Sequence, residues 1–516
     1  MPEVTPEPGS SGFPPTGRQV AWNYLVFGLS RSSALITTVV VARLLTPADF
    51  GLFALALLVV NLFEYVKDLG VNAALVQSPR DWNRIAPTGL TLSVVLGATS
   101  GTIVALTAPL AAAVVKNPDV VPLIRVLAIG LVIFSLSAVP AARLRRYLDF
   151  RSRIMPEFGG AVVKTALTIG MAATGFGVWS LVYGQLAASV VITVGYWWVG
   201  RARPKFGFSK DEAGALIRFG APITLAGLVW FATVSVDYLV IGIRLGDTQL
   251  GLYTLAYRLP ELIVVYLCIV ISEVLFSSLS RLQHDRAAME THFVSVMTAV
   301  VALVVPISVG LAVTAPSLIA TLYGPDYSGA APALSVLAIY ALVLAASFHA
   351  GDVFKAIHRP SLLTILSIGK LAILIGPIWW AAGRSIVMVA VVLLAAEAVH
   401  GVAKLVIVQM VTDLKLRQLW GAVFRPLPAG VCMGAVMFGV ASLIAPLPPP
   451  AVVALTFAAG VVVYLLSLRV TAPSLFASGL QTVRSVRSAH RAEKGSADQA
   501  PNSDHPLDSD PDRRET

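Results

Sequence analysis

The chain has 516 residues, of which 56% are hydrophobic and only 13% are charged, and its formal net charge is +10. Soluble domains carry about 25% charged residues, so this composition excludes an ordinary soluble globular protein and indicates a membrane protein. The basic residues are scattered over short segments between apolar runs, which argues against nucleic-acid binding and favours loops that face anionic lipid.

The N-terminal segment, residues 1–17, is rich in proline and carries Glu3 and Glu7. It has no basic region before an apolar core, so it is predicted to be a disordered cytoplasmic leader and not a signal peptide. Both cysteines, Cys268 and Cys432, lie inside apolar runs. A structural disulfide is therefore not expected, and since no residues have metal-ligand spacing, no cofactor is predicted.

Apolar runs of about 20 residues, the length of a helix that crosses a bilayer, follow one another along the chain. They predict an all-α integral membrane protein with about fourteen transmembrane helices. The predicted spans are 20–44, 51–75, 88–115, 121–142, 157–175, 178–200, 216–243, 250–280, 292–320, 332–354, 361–382, 385–408, 426–446 and 450–470. The shortest connection is Thr174–Gly177, between the fifth and sixth spans.

Lysine and arginine are concentrated in alternate loops, and cytoplasmic loops are the ones that retain basic residues. The even-numbered loops carry Arg80, Arg84, Arg143, Arg145, Arg146, Arg151, Arg153, Arg201, Arg203, Lys205, Lys210, Arg281, Arg286, Lys355, Arg359, Lys415 and Arg417. The other loops hold little beyond Lys116, Arg244 and Arg384. This asymmetry predicts that both termini are cytoplasmic and that the number of spans is even.

Two halves of the chain repeat one another. RLLTPADFGLFALA (43–56) matches RLGDTQLGLYTLA (244–256), and KTALTIG (164–170) matches KLAILIG (370–376). Six helices in each half give both halves the same orientation, so they are predicted to be related by an axis along the membrane normal. A duplicated polytopic membrane protein is most often a transporter, because a paired bundle can rock about a central site.

The repeat also predicts the domain boundaries. The expected divisions are the leader 1–17, an N-lobe 18–213 with spans 1–6, a C-lobe 214–410 with spans 7–12, two extra spans in 411–470 and a tail 471–516. The tail begins with Arg484, Arg487, Arg491 and Lys494 and continues as a polar, Asp- and Pro-rich stretch. It is predicted to be a disordered cytoplasmic segment.

Several stretches, taken in their order and spacing, resemble bacterial polysaccharide flippases of the multidrug/oligosaccharidyl-lipid/polysaccharide exporter superfamily. They are ARLLTPADFGLFALALLVVNLFEYVKDLGVNAALVQ (42–77), LRRYLDFR (144–151), GFGVWSLVYGQL (175–186), VDYLVIGIRLGDTQLGLYTLAYRL (236–259), VLFSSLSRLQHD (274–285) and LYGPDYSGAAPAL (322–334). The resemblance covers about residues 18–470. Ser277 departs from it, because members often carry proline there, and this is expected to alter only a helix kink.

The resemblance implies two lobes around a central cleft that opens to one side at a time, with spans 1, 2, 7 and 8 around the cleft. It implies a substrate that is a polyprenyl-diphosphate-linked oligosaccharide, moved from the inner to the outer leaflet of the bacterial cytoplasmic membrane. The cleft would then be wet and cationic. Besides this glycan lipid and the membrane lipids, a polysaccharide polymerase and glycosyltransferases of the same pathway are candidate partners.

Ionisable groups inside spans are costly and therefore mark candidate functional residues. Arg31 lies about 11 residues into span 1, roughly 16 Å of helix rise, and has no partner in its own helix. A guanidinium fork suits a diphosphate, so Arg31 is the leading substrate-binding candidate, with Lys67 and Arg258 beside it. A structural ion pair from Arg31 to Glu64 or Asp237 is the alternative.

Four carboxylates, Glu64, Asp68, Asp237 and Glu261, are candidates for ion coupling or for pairing with these cations. Glu64 and Lys67, like Arg258 and Glu261, are three residues apart, a spacing that allows a local ion pair. Asp237 is alone in span 7, where a buried carboxylate can carry a coupling proton or sodium ion.

Further charged residues are expected to have structural roles. Lys164 and Lys370 occupy equivalent places in the two repeats, which predicts a repeated pairing within each lobe. Glu397, His400 and Lys404 share a face of span 12 and are expected to satisfy one another or Lys370. Six prolines are expected to interrupt apolar helices; they are Pro222, Pro260, Pro306, Pro316, Pro332 and Pro377.

Three other functions compete with the polysaccharide flippase. A peptidoglycan-precursor flippase of the same superfamily would also bind a polyprenyl diphosphate. A drug/cation antiporter would need acidic cleft residues, which Arg31 and Lys67 disfavour. A membrane glycosyltransferase or polymerase is disfavoured because the outer loops are short and lack paired carboxylates suited to glycosyl chemistry, so no catalytic residues are predicted.

Overall fold

A computed structural model describes residues 33–147, 149–200, 205–473 and 475–477, and every regular element within these ranges is helical. The predicted leader, the first part of span 1, Arg31 and most of the predicted tail lie outside the described residues.

The helices of the N-terminal half are α1 (Ser33–Ala42), α2 (Pro47–Asp68), α3 (Val71–Gln77), α4 (Trp82–Val115), α5 (Val120–Ser135), α6 (Ala138–Arg146), α7 (Phe150–Ala173) and α8 (Trp179–Val199). The C-terminal half continues with α9 (Lys210–Pro260), a π-helical turn (Glu261–Val265), α10 (Tyr266–Arg281), α11 (Arg286–Leu322), a 3-10 turn (Pro325–Ala330), α12 (Ala331–Phe348), α13 (Ala350–Ala356), α14 (Ser361–Ala381) and α15 (Ile386–Val411). The last helices are α16 (Leu416–Phe424), α17 (Leu427–Leu443) and α18 (Pro449–Thr471).

Ten helical segments of the described chain are long and apolar enough to cross a membrane, and the pair α5 and α6, bent by 45°, makes an eleventh. One of the ten, Lys210–Arg281, is 72 residues long and contains two of the predicted spans. These two are separated near Gly246, whose φ of 82° and ψ of 178° are not helical. The predicted total of fourteen is therefore not confirmed, although a helix occupies every predicted span from the second onward.

The start and end of α2 are fixed by local chemistry. Thr46 caps the helix by accepting a hydrogen bond from the Asp49 amide, and the Asp49 carboxylate accepts one from the Thr46 amide in return. Two residues in the left-handed region, Leu69 at φ 37° and Gly70 at φ 67°, end the helix and separate it from α3. This reciprocal capping box satisfies N–H groups that the first helical turn leaves free.

Prolines shape several of the long helices. Pro222, Pro306, Pro316 and Pro377 lie inside helices, as predicted. Pro260 closes α9 and is followed directly by the π-helical turn, which is a typical response to the backbone hydrogen bond that proline removes. The prediction for Pro332 is wrong, because this residue lies in the first turn of α12, where a missing N–H breaks no helical hydrogen bond.

The helices α1 to α8 and α9 to α15 correspond to the two repeated halves, here called the N-lobe and the C-lobe, and two further candidate membrane segments, Leu416–Leu443 and Pro449–Thr471, follow. The parallel pseudo-two-fold relation of the halves stays a prediction. Equivalent helix pairs carry equivalent polar contacts. The Lys164 ammonium on α7 donates to the Gln185 Oε1 atom on α8 at 2.6 Å, and Lys370 on α14 contacts the Glu397 carboxylate on α15. The predicted repeated pairing of Lys164 and Lys370 is thus confirmed. The lobes meet along α2 and α9, which pack against each other over much of their length.

Candidate functional site

A cavity of about 1180 Å³ lies between the lobes, along the facing sides of α2 and α9. The N-lobe helices α5 to α8 and the π-helical turn complete its wall. Five of the seven predicted site residues line it: Glu64, Lys67, Asp68, Arg258 and Glu261. The structure therefore places residues from span 2 and span 8, nearly 200 residues apart in sequence, around one space.

Lys67 is the most buried of the cations that line the described part of the cavity, with 7% of its side chain exposed. Its ammonium lies 3.1 Å from the Glu64 Oε2 atom and 4.9 Å from the centre of the Phe134 ring. Both residues of the ion pair stand on the cavity face of α2, one helical turn apart, as the sequence spacing predicted. Glu64 is more exposed, so a ligand can compete with it for the Lys67 ammonium.

Arg258 and Glu261 form the second predicted pair, with 3.2 Å between the Arg258 Nη1 and Glu261 Oε2 atoms. The pair spans the junction between α9 and the π-helical turn. About a third of each side chain is exposed. Because a π-turn changes the direction of the side chains that follow it, Pro260 helps to set how this pair faces the cavity.

The other two predicted site residues lie elsewhere. Asp237 does not line the cavity: it is 3% exposed and accepts a hydrogen bond from the Tyr253 hydroxyl at 2.7 Å. Its neighbour Tyr238 lines the cavity instead. Arg31 lies outside the described residues, so its predicted contact with substrate and the alternative ion pair to Glu64 or Asp237 both stay predictions.

Arg145 is a cavity residue that the sequence analysis assigned only to a cytoplasmic loop. It lies near the end of α6, lines the cavity and donates to the Asn72 Oδ1 atom at 3.2 Å. The described lining contains three basic and four acidic residues: Lys67, Arg145 and Arg258, and Glu64, Asp68, Glu157 and Glu261. The expectation of a cationic cleft is thus not met by the described residues, because acidic residues from α2, α7 and the π-helical turn also face the cavity.

Aromatic side chains form a second feature that the sequence analysis did not identify. The centre of the Tyr65 ring on α2 lies 6.4 Å from the centre of the Trp230 ring and 5.6 Å from the centre of the Phe231 ring, both on α9. All three line the cavity. A signal was present, because Gly227, Trp230, Phe231, Val234 and Tyr238 recur at helical spacing and all face the cavity,.

One end of the interface between α2 and α9 is closed by a reciprocal glycine contact. A methyl group on Gly51 would overlap the Asp247 carbonyl, and one on Gly251 would overlap the Pro47 carbonyl. Nearby, the Arg43 Nε atom donates to the Leu322 carbonyl at 3.0 Å. Two hydrogen bonds also cross the interface here: the Tyr327 hydroxyl donates to the Leu45 carbonyl at 2.7 Å, and the Asn117 amide donates to Asp247 at 3.2 Å. We call this the Gly51 end.

The opposite end is closed by a second glycine contact. Gly70 after α2 lies against Gly220 in α9, so closely that a methyl group on either would overlap the backbone of the other segment. Beside it, the buried Glu212 carboxylate contacts Arg80 and lies 2.7 Å from the Arg84 Nε atom. We call this the Arg80 end. The interface between α2 and α9 thus has a close backbone contact through glycine near each end, and the cavity lining extends past the second contact to Asn72 and Arg145.

A separate buried charge cluster lies in the C-lobe. Glu397 is fully buried, contacts Lys370 and lies 3.3 Å from the Lys404 ammonium. Lys404 also donates to the Ser347 hydroxyl at 3.4 Å. The expectation is confirmed for Glu397 and Lys404, since the Glu397 carboxylate bridges the ammonium groups of Lys370 and Lys404; for His400 it stays a prediction.

The sequence profile of a family described as polysaccharide biosynthesis protein matches residues 40–332. The lipopolysaccharide biosynthesis protein WzxC of Escherichia coli (strain K12) is 24% identical over 340 residues, which are 66% of this chain and 69% of WzxC. The succinoglycan biosynthesis transport protein ExoT of Rhizobium meliloti (strain 1021) is 26% identical over 62% of this chain and 65% of ExoT. The teichuronic acid biosynthesis protein TuaB of Bacillus subtilis (strain 168) is 25% identical over 73% of this chain and 79% of TuaB.

Two solved structures are similar in fold. The lipid II flippase MurJ in an inward closed conformation superposes with a TM-score of 0.72 at 14% identity, covering 88% of this chain and 99% of MurJ. An inward-facing multidrug resistance MATE family transporter of the MOP superfamily gives a TM-score of 0.61 at 17% identity, covering 74% of this chain and 94% of the transporter. At these identities the likeness shows the fold alone.

Proposed function

Because the chain belongs to the polysaccharide biosynthesis protein family, we propose that it moves polyprenyl-diphosphate-linked oligosaccharides from the inner to the outer leaflet of the bacterial cytoplasmic membrane. The observation that carries this proposal is the cavity between the lobes, which is lined by paired ions and flanked by the glycine contacts between α2 and α9. Sugar and diphosphate cannot cross about 30 Å of hydrocarbon unaided, and this cavity offers them polar contacts among the apolar helices.

The cations of the cavity would bind the diphosphate by exchanging partners. Lys67 and Arg145 are its candidate ligands on the N-lobe, and Arg258 is a candidate on the C-lobe. Each is already satisfied, Lys67 by Glu64, Arg145 by Asn72 and Arg258 by Glu261. A diphosphate offers charged acceptors in place of these partners, and the three cations return to their own partners when it leaves. Arg31 stays a predicted ligand.

Movement of the substrate would follow from opening one end at a time. Rocking of the lobes about the interface between α2 and α9 would separate Gly70 from Gly220 in one state and Gly51 from Gly251 in the other. The inner-loop arginines favour a cytoplasmic position for the Arg80 end, with both termini on that side. Asp237, Glu64, Asp68 and Glu261 stay candidates for ion coupling or pairing.

Two relatives are named for surface polysaccharides, WzxC for lipopolysaccharide and ExoT for succinoglycan. These names favour a surface polysaccharide unit over a peptidoglycan precursor. A drug/cation antiporter is disfavoured by the family to which the chain belongs and not by the charge of the cavity, where four acidic residues accompany Lys67, Arg145 and Arg258. The role proposed for the chain is that of a transporter without catalytic activity. The polymerase and glycosyltransferases of its pathway stay candidate partners.

The test is made in the parent bacterium with this gene deleted. Membrane lipids are extracted and analysed by mass spectrometry for polyprenyl-diphosphate oligosaccharide. We expect this lipid to accumulate in the deletion strain. The intact gene should reverse the accumulation, whereas the Arg31→Ala and Lys67→Ala copies should reverse it poorly. A Lys205→Ala copy, altered at an exposed lysine outside the cavity, is the matched control and should reverse it. The proposal is rejected if the deletion changes neither the amount of this lipid nor the amount of surface polysaccharide.

A further inference from the structure

The aromatic cluster of Tyr65, Trp230 and Phe231 has the properties of a carbohydrate-binding surface. Trp230 lines the cavity with 54% of its surface exposed. A tryptophan that serves only packing is buried like Trp82, which is 8% exposed. Trp230 therefore has free aromatic surface, and its place in the cavity lining puts this ring within reach of a ligand there.

The neighbouring side chains supply hydrogen-bonding groups for hydroxyls. Asn61, Glu64 and Tyr65 share one face of α2, and all three line the cavity. Ser235 and Thr224 line it from α9. Ligand sites typically combine aromatic surface with a few placed polar groups. The C–H face of a sugar ring carries weakly positive hydrogens that complement the negative face of an aromatic ring, while its hydroxyls need acceptors such as Glu64 and Asn61.

The position of the cluster relative to Lys67 fits a sugar attached to a diphosphate. Tyr65 precedes Lys67 by two residues on α2, about 3 Å of helix rise and roughly 200° around the helix axis. Both line the same cavity, Lys67 on the side of Phe134 and Tyr65 on the side of α9. A diphosphate held by Lys67 therefore leaves the part of the cavity beside Tyr65 and Trp230 to its sugar. Gly227 makes room for this arrangement, because a methyl group there would lie 2.8 Å from the Tyr65 ring.

We infer that Trp230, with Tyr65 and Phe231, forms the subsite that binds the sugar next to the diphosphate. This inference rests on the proposed function and deepens it, since it separates recognition of the glycan from recognition of the lipid diphosphate. The cations bind the group common to all such lipids, and the aromatic cluster binds the part that carries the sugar.

Binding to the purified full chain in nanodiscs tests this inference with two ligands: the polyprenyl diphosphate without sugar, and the same lipid carrying the native repeat unit. For Trp230→Ala and Trp230→Leu we expect about ten-fold weaker binding of the glycan lipid and unchanged binding of the bare lipid. Trp230→Phe keeps a ring face and should stay near the wild-type affinity. Lys67→Met should weaken the binding of both lipids.

Trp380→Ala is the matched control, because Trp380 is 52% exposed and lies outside the cavity; it should change neither affinity. The inference is overturned if the Trp230→Ala and Trp230→Leu variants bind both lipids equally more weakly than the wild-type chain, or if they bind both with unchanged affinity. In both of those cases the wild-type chain still binds, so the proposed function survives. If the wild-type chain binds neither lipid, the proposed function fails and the subsite fails with it.

Discussion

Gly51 and Gly251, which occupy equivalent positions in the two sequence repeats, meet each other where α2 crosses α9. A methyl group on Gly251 would lie 3.0 Å from the Gly51 backbone nitrogen, and each glycine also faces the carbonyl of the residue four positions before the other. The repeat that is visible in the sequence is thus also a self-complementary contact between the lobes. Backbones approach this closely in membrane helices only where side chains are absent.

The first prediction concerns this pair of glycines. Gly51→Val should keep the Gly51 end from closing, because the added carbons overlap the Asp247 carbonyl. We expect transport to fall at least about ten-fold, since destabilising the closed state by a few kcal/mol shifts the populations by that much or more. Spin labels on Leu44 and Asp326, exposed residues on opposite lobes at this end, should move apart relative to the wild-type chain.

The control for this prediction is Gly376→Val. Gly376 has no atom within 4 Å of an added methyl group, so this variant makes the same chemical change without a steric conflict. It should keep both transport and the wild-type label distance. Unchanged label distances in Gly51→Val would show that close approach of the two glycines is not needed for closure.

The second prediction separates pairing from substrate binding at Lys67. The double variant Glu64→Lys, Lys67→Glu keeps an ion pair between the two positions, so the protein should reach wild-type levels in the membrane. Transport should nevertheless be abolished, because the buried cation next to Phe134 is replaced by a carboxylate that repels a diphosphate. Membrane abundance and lipid accumulation are measured in the same cells. Restored transport would mean that Lys67 has only a structural role.

The third prediction concerns the buried cluster around Glu397. Glu397→Gln leaves Lys370 and Lys404 close together without their shared carboxylate, and breaking a buried ion pair from one side costs about 3 to 5 kcal/mol. We expect a clearly lower melting temperature in detergent. Asp413→Asn, which alters the exposed carboxylate of an exposed ion pair with Arg286, is the comparison and should change the melting temperature little. Equal melting temperatures for both variants would show that the cluster adds no stability.

The fourth prediction concerns Asp237 and Tyr253. Tyr253→Phe removes the hydroxyl that donates to the buried carboxylate and should destabilise the protein by about 1 to 3 kcal/mol. The N-lobe repeat already has phenylalanine, Phe53, at the equivalent position. Thermal unfolding of Tyr253→Phe is compared with that of Tyr183→Phe, a change at a more exposed tyrosine. No difference between the two would mean that Asp237 does not depend on this bond.

Sequence reasoning identified the contacts that helix geometry alone determines. Glu64 with Lys67, and Arg258 with Glu261, are three residues apart, and any continuous helix brings such residues together. The equivalence of Lys164 and Lys370 was visible because the flanking repeats align. The proline prediction failed at Pro332, because an apolar run does not show whether a proline falls inside a helix or in its first turn.

The features that sequence reasoning missed depend on tertiary packing. Arg145 was counted among loop residues, and only the bend between α5 and α6 brings it to the cavity. Trp230 and Tyr65 were treated as part of an apolar background, since the face of a membrane helix that meets a cavity looks like one that meets lipid. The acidic residues that offset the cations come from three separate elements, so the charge of the cavity could not be read from any one span.

The most direct test of the central claim is transport by the purified chain in proteoliposomes. Polyprenyl-diphosphate oligosaccharide is incorporated on one leaflet, and its appearance on the other is followed by cleavage with a membrane-impermeant glycosidase. We expect the wild-type chain to make the substrate accessible well above the rate of protein-free vesicles, and we expect the Gly51→Val chain not to do so. A wild-type rate equal to that of protein-free vesicles, with correctly folded protein, would contradict the central claim.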